Sequence, residues 1–245
     1  MENYLYSLFY QQENKHWWFI GRRKLIHKLI KLYLPHSKPL TVLDIGCGAG
    51  KLTEELAKYG KVIGIDNAKE AINFCKQKGL RNITESSIED YQTNEQFDCV
   101  IALDVLEHCK NDIEIIKKMR DILKTAGIAI IFVPALKIFW GKWDIVNHHF
   151  RRYNYGELAN KFRGAGFEIL AQSYFNFFLA PLIFIARKII NLSKIKTDEE
   201  FNINNALINN VCKFIFNFEI SLLPKIKYPF GVSLMGVYRK SNFSN

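Results

Sequence analysis

The residues best placed to do chemistry form a short run, Asp44-Ile45-Gly46-Cys47-Gly48-Ala49-Gly50. Glycines let a backbone turn sharply and come close to a ligand. A helix opening just after them offers its positive N-terminal end to an anionic group. Asp66 follows Asp44 by 22 residues, at the end of another apolar run. A carboxylate there can accept both hydroxyls of a ribose. Together these features point to a cofactor that contains a nucleoside. A dinucleotide needs GxGxxG to cradle its pyrophosphate; the spacing here is GxGxG, with an acid two residues before the first glycine. Cys47, between the glycines, and Asn67, beside Asp66, belong to the same candidate set.

A second group lies in Trp143-Asp144-Ile145-Val146-Asn147-His148-His149-Phe150-Arg151-Arg152-Tyr153, with His108 upstream in FDCVIALDVLEH (97–108). An imidazole can take a proton near neutral pH. His149 is the first candidate for a general base, with His148 and His108 behind it. Such a base serves a hydroxyl acceptor and is unnecessary for a carboxylate. The same side chains can instead tie a loop to a sheet by hydrogen bonds. A third group, ENKHWWFIGRRK (13–24), holds Trp18 and Arg22. Aromatic rings beside cations can close over a flat ligand or anchor a helix to the core.

These residues need a scaffold that brings them together. LTVLDIG (40–46), KVIGID (61–66), FDCVIALD (97–104) and IAIIFVP (128–134) read as strands. KLTEELAKY (51–59), AKEAINFCKQKG (68–79) and DIEIIKKMRDILKTAG (112–127) read as helices, the last two stopped by glycine. A helix at 156–166 and strands at 167–175 and 231–240 complete the pattern. Such alternation builds a mainly parallel sheet with helices on both faces, and ligands bind at the carboxyl ends of its strands. Asp44, Asp66, Asp104 and Pro134 fall at those ends. Residues 1–37 read as a largely helical lead-in.

VLDIGCGAG resembles motif I of the class I S-adenosylmethionine-dependent methyltransferases, and the 143–153 segment is similar to one in their ubiquinone-biosynthesis-like group. The resemblance covers about residues 40–170. It implies an α/β, Rossmann-like, seven-stranded and mostly parallel sheet, and S-adenosylmethionine as cofactor. Asp44, Gly46, Gly48 and Gly50 would hold its methionine half, Asp66 its ribose, and backbone near Leu103 would face the methionine part. Many relatives place an Asp after the third strand, at the adenine amino group. Here Ser87 and Ile88 stand there; Ser87 can hydrogen-bond the adenine edge and Ile88 can pack on the ring. An N-terminal helical lid would bring Trp18 and Arg22 to the cofactor.

Other chemistries are disfavoured. Amino-group methylation of bases or glutamine uses an Asn/Asp-Pro-Pro-Tyr/Phe element, and Ala102-Leu103-Asp104-Val105 stands in its place. No cysteine is set for attack on cytosine C5. The five cysteines show neither CxxC pairs nor zinc-ligand spacing, so no metal is expected, and a reducing cytoplasm fits them. The N-terminus lacks the pattern of a secretory signal.

The formal net charge is +10, and residues 151–245 hold 13 Lys/Arg against 6 Asp/Glu. Some 55 residues separate the last two strands, far beyond an ordinary hairpin loop of about 2–5 residues. The division expected is a lead-in or lid (1–37), a methyltransferase core (38–175 and 229–241) and a helical insert (176–228). FFLAPLIFIARKII (177–190) and residues 206–223 are apolar and helix-like but too short to span a bilayer. They are expected to pack as a pair over the acceptor side, with Pro181 starting or kinking the first. The polar SKIKTDEEFNINN between them reads as a mobile connection. The pair can extend the core, cap the site, form a subunit surface or rest on the inner face of an anionic membrane. The function expected is methyl transfer, to oxygen first, on a small amphiphilic or lipid-linked metabolite. RNA or ribosomal protein as acceptor rests on charge alone, without a nucleic-acid module, and nucleic acid is not an expected partner. A non-catalytic scaffold is the reading from a different class. Oligomeric state is left open.

Overall fold

The computed structural model describes residues 3–35, 37–192 and 205–241. Its centre is a seven-stranded sheet in the order β3-β2-β1-β4-β5-β7-β6. Strands β1 (Leu40–Ile45), β2 (Gly60–Asp66), β3 (Ile83–Glu85), β4 (Phe97–Leu103) and β5 (Leu123–Pro134) run parallel. β7 (Ser233–Lys240) lies antiparallel between β5 and β6 (Phe167–Phe175). The parallel strands are buried on both faces, so they read as continuous apolar runs. Val42, Leu43, Val100, Ile101, Ile130 and Ile131 are all fully buried. The strand order reverses at β1, which opens a crevice at the carboxyl ends of β1 and β4.

Helices α3 (Lys51–Leu56), α4 (Lys69–Gln77), α5 (Asp112–Ile122), α6 (Lys142–Val146) and α7 (Tyr155–Gly164) connect the strands. α5 buries Ile115, Ile116, Met119 and Ile122, spaced by three and four. It is shorter than the helix expected over 112–127. Leu123 is already extended and pairs with Phe97, and Ala126 takes φ +59°. The buried Leu123 gains more as a strand neighbour than as a further helical turn, and Gly127 marks the end of that irregular entry rather than the helix stop. The helix expected over 51–59 likewise ends at Leu56 and closes with a single 3-10 turn, Ala57–Tyr59.

The lead-in comprises α1 (Asn3–Gln12) and α2 (Trp17–Tyr33). α2 buries Leu25, Ile26, Leu29 and Ile30, and His16 Nδ1 caps its start by accepting the Trp18 N–H. α1 crosses to α4, where Tyr10 stacks on Phe74 at 4.4 Å. The insert holds α8 (Ala180–Leu192) and α9 (Ala206–Leu222). Pro181 is the second residue of α8, where its missing N–H costs nothing. The two helices do not pack as the expected pair. α9 lies on α2 instead: Phe216 sits edge-on to Trp17 and flat on Trp18. Gly21 makes room for this, since a Cβ there would fall 2.3 Å from the Phe216 ring. α8 and α9 each lend residues to the lining of one cavity. Most of the connection expected to be mobile lies outside the described residues.

Candidate functional site

A cavity of about 710 Å³ runs along the carboxyl ends of the central strands, from Asp66 and Ser87 to α8 and α9. The glycine loop forms its floor. Gly46 and Gly48 take φ +68° and +54°, a left-handed region that disfavours side chains. A Cβ on Gly48 would meet no protein atom within 4 Å. It would project into space that a ligand can fill. Gly46 and Cys47 both donate N–H to the Ile65 carbonyl, which fixes the turn.

Two buried acids flank that turn. Asp66 accepts the Gly48 N–H on Oδ2 and the Ala68 N–H on Oδ1, both at 2.9 Å. Each oxygen keeps a second lone pair for a ligand hydroxyl. Among the described residues, Asp44 accepts only the Thr53 hydroxyl, at 2.6 Å. Burial pushes its carboxyl up to about 7, opposed by that hydrogen bond and reinforced by Asp66. The site thus carries unspent negative potential, suited to a ligand with a cationic group. Cys47, Asn67, Ser87, Ile88 and Leu103 all line the cavity. Ser87 Oγ is engaged with Asp90, and Ile88 is buried. Gly50 starts α3 and packs inward against Cys75 and Leu80 rather than forming the cavity wall.

The lead-in closes the site from above. Arg22 is buried, pairs with Asp104 at 2.5 Å, and lies 5.0 Å over the Trp18 ring. Its Nε has no partner among the described residues. Trp18 both lines the cavity and stacks on Phe175 and Phe216, so it is anchor and wall together. Glu13 pairs with Lys78, which also donates to the Ala49 carbonyl, tying α1 to the glycine loop.

At the other end stand the histidines. His149 Nδ1 lies 2.9 Å from Asp144 Oδ1, and Asp144 is also gripped by Arg152 at 2.7 and 3.0 Å. Burial alone would raise the Asp144 carboxyl, but His149, Arg152 and the Gly141 N–H hold it below its ordinary value. An ionised carboxylate can only accept, so His149 donates from Nδ1 and its basic lone pair is on Nε2. His108 meets His149 edge-on at 4.7 Å. Burial, then the neighbouring His149, lowers it to about 3, so it is neutral and a poor base. His148 is exposed at φ +57°, in the turn that lets the His149 N–H reach the Asp144 carbonyl. Arg151 ties the loop to Lys110 and Asp112.

Glu107 was missed by the sequence reading. It is fully buried, and neither carboxylate oxygen has a partner among the described residues. Burial, then Asp104, pushes its carboxyl well above the ordinary range. One ligating atom each of Glu107, His108 and His149 lies within 4.8 Å of the others, a donor set able to hold a divalent cation. The available signal was an acid next to a histidine directly after an apolar strand.

Comparison with known proteins places the chain in a family. A family model described as a methyltransferase domain matches residues 17–172. The ubiquinone biosynthesis O-methyltransferase of Rickettsia canadensis (strain McKiel) is 37% identical over 113 residues, covering 44% of this chain and 48% of its own. The mitochondrial enzyme of that name from Dictyostelium discoideum is 31% identical over 163 residues, covering 50% of each. The chain therefore spans about half the length of the curated relatives it matches. The N-methyltransferase NodS from Bradyrhizobium japonicum WM9, solved with S-adenosyl-L-homocysteine, superposes with a TM-score of 0.56 at 15% identity, covering 94% of this chain and 90% of that one. With the glycine loop, the paired acids and the switch-point sheet in place, the chain belongs to the methyltransferase domain family, as a class I S-adenosylmethionine-dependent methyltransferase.

Proposed function

We propose that the chain transfers the methyl group to a hydroxyl oxygen of a small amphiphilic or lipid-linked metabolite. The observation that carries this reading is the Asp144–His149 pair at one end of a cavity whose further walls are apolar. S-adenosylmethionine supplies the electrophilic methyl group. Asp44, Gly46 and Gly48 would hold its methionine half, Asp66 its ribose, and Ser87 with Ile88 its adenine. The buried Arg22 suits its carboxylate.

The acceptor oxygen must lose a proton as it attacks. His149 Nε2 takes it, and Asp144 stabilises the resulting imidazolium. Arg152 holds Asp144 in place by two hydrogen bonds. The neutral ring of His108 keeps that end of the site dry without competing for the proton. Leu179, Ile183, Cys212 and Val232 supply apolar wall for a hydrocarbon substituent. The names of the curated relatives support oxygen as the methylated atom.

The test is incubation with methyl-labelled cofactor and a panel of phenols and quinols, with and without prenyl tails. Mass spectrometry should find label on oxygen, with tailed acceptors preferred. His149→Ala should lower turnover by roughly 10²–10⁴-fold while cofactor affinity is kept. Label on nitrogen or carbon, or full turnover in that variant, would overturn the assignment.

A further inference from the structure

The insert leaves an apolar surface uncovered. On α8, Leu182, Ile185 and Ile189 recur on one face and are more than half exposed. On α9, Leu207, Val211, Phe214 and Phe218 recur on one face and are at least half exposed, Phe214 at 76%. The two stripes meet where Phe178, just before α8, contacts Phe218 at 5.9 Å. Phe230 and Ile226 extend the patch beyond α9. Monomers rarely leave so many large apolar side chains together in water.

The rim of this surface is cationic. Lys188 lies on α8, Lys213 on α9, and Lys225 and Lys227 flank the exposed Ile226. Among the described residues of 176–230 the single acid is Glu219, which is buried and accepts the N–H groups of Asn176, Phe177 and Phe178. Asp198, Glu199 and Glu200 belong to the connection outside the described residues. A second copy docked here through a two-fold contact would set one cationic rim against another. No described helix is long and apolar enough to cross a membrane. A bilayer with anionic headgroups satisfies both features, taking the apolar stripe among its acyl chains and the lysines at its headgroups.

The cavity opens on the same face. Leu182 and Ile208 line it, yet are 61% and 48% exposed, so they form its apolar mouth. We infer that the outward faces of α8 and α9 dock on an anionic lipid bilayer, so that the cavity mouth faces the lipid. Entry of the acceptor from the bilayer rests on the function proposed above; docking does not, and is measured without any acceptor.

Vesicle sedimentation with the full chain tests it. Phosphatidylcholine vesicles containing phosphatidylglycerol should bind the protein, and phosphatidylcholine alone should not. Binding should weaken as salt rises. Leu207→Glu with Phe214→Glu, both at exposed positions, should lower binding by at least about tenfold, with cofactor affinity unchanged. Lys225→Glu with Lys227→Glu should lower binding to the anionic vesicles and flatten its dependence on salt. Absence of binding at low salt overturns the inference. So does wild-type binding by the Leu207/Phe214 variant, or a solution dimer that this variant dissolves.

Discussion

Asp44 is buried and has one hydroxyl partner among the described residues, and burial pushes its carboxyl up to about 7. A cationic ligand favours its ionised form, so binding below that pH must drive off a proton. Affinity for S-adenosylmethionine should therefore rise as pH climbs toward about 7 and level off above it, by up to about tenfold per pH unit. Asp44→Asn should bind more weakly and lose the slope; calorimetry across this range reads both, and a persisting slope would refute the role. Asp66→Ala should lose on the order of 1–3 kcal/mol of cofactor binding, with unchanged affinity removing it from the ribose. Glu107 makes a different case. Its raised carboxyl contributes stability that is complete below the ordinary value of 4.5 and is lost as pH rises through its folded value. Glu107→Gln mimics the protonated form. It should melt at or above wild type at neutral pH, by a margin that widens as pH rises. A lower melting temperature at every pH would count against a buried, unpaired acid. The glycine loop and Asp66 were legible in the sequence because their function depends on short spacing. Glu107 was not, because what sets it apart is the burial of both oxygens without a partner, which spacing does not reveal.

At the scale of elements, the lead-in and the insert are one assembly. Phe216 joins α9 to α2 through Trp17, Trp18 and the gap left by Gly21. Phe216→Ala should destabilise by about 3–5 kcal/mol. It should also weaken cofactor binding, because Trp18 and Arg22 lose their support. Denaturant melts and calorimetry would show both, and loss of stability with full cofactor affinity would separate the lid from the insert. The order of most strands and helices and their amphipathic faces could be read from apolar periodicity. The end of α5 could not, since KTAG suits a helix until Leu123 finds Phe97 across the sheet. Nor could the partner of α9. Its apolar face specified burial, and only the small Gly21, 195 residues away in the chain, decides that α2 receives it.

The whole molecule is held against acid by several carboxylates. Asp144, Asp112 and Asp98 all titrate below their ordinary value, because in each case basic partners outweigh the effect of burial. Their stabilisation is complete above 3.8 and is lost as pH falls through their lower folded values. Thermal stability should therefore drop steeply below about pH 4, and a flat melting profile there would contradict these pairings. Asp144→Ala strands the buried Arg152 and should cost about 3–5 kcal/mol. The sheet order carries a consequence for synthesis. β7 is hydrogen-bonded on both sides, yet residues 176–232 separate it in the chain from β6. While a ribosome is still making that stretch, β5 has an unfilled edge and β6 has no neighbour at all. Both open edges can recruit foreign strands, and neither closes until one eight-residue segment emerges and inserts between them. The nascent chain must wait for that segment, and the apolar helices made during the wait are those that most need shelter from water.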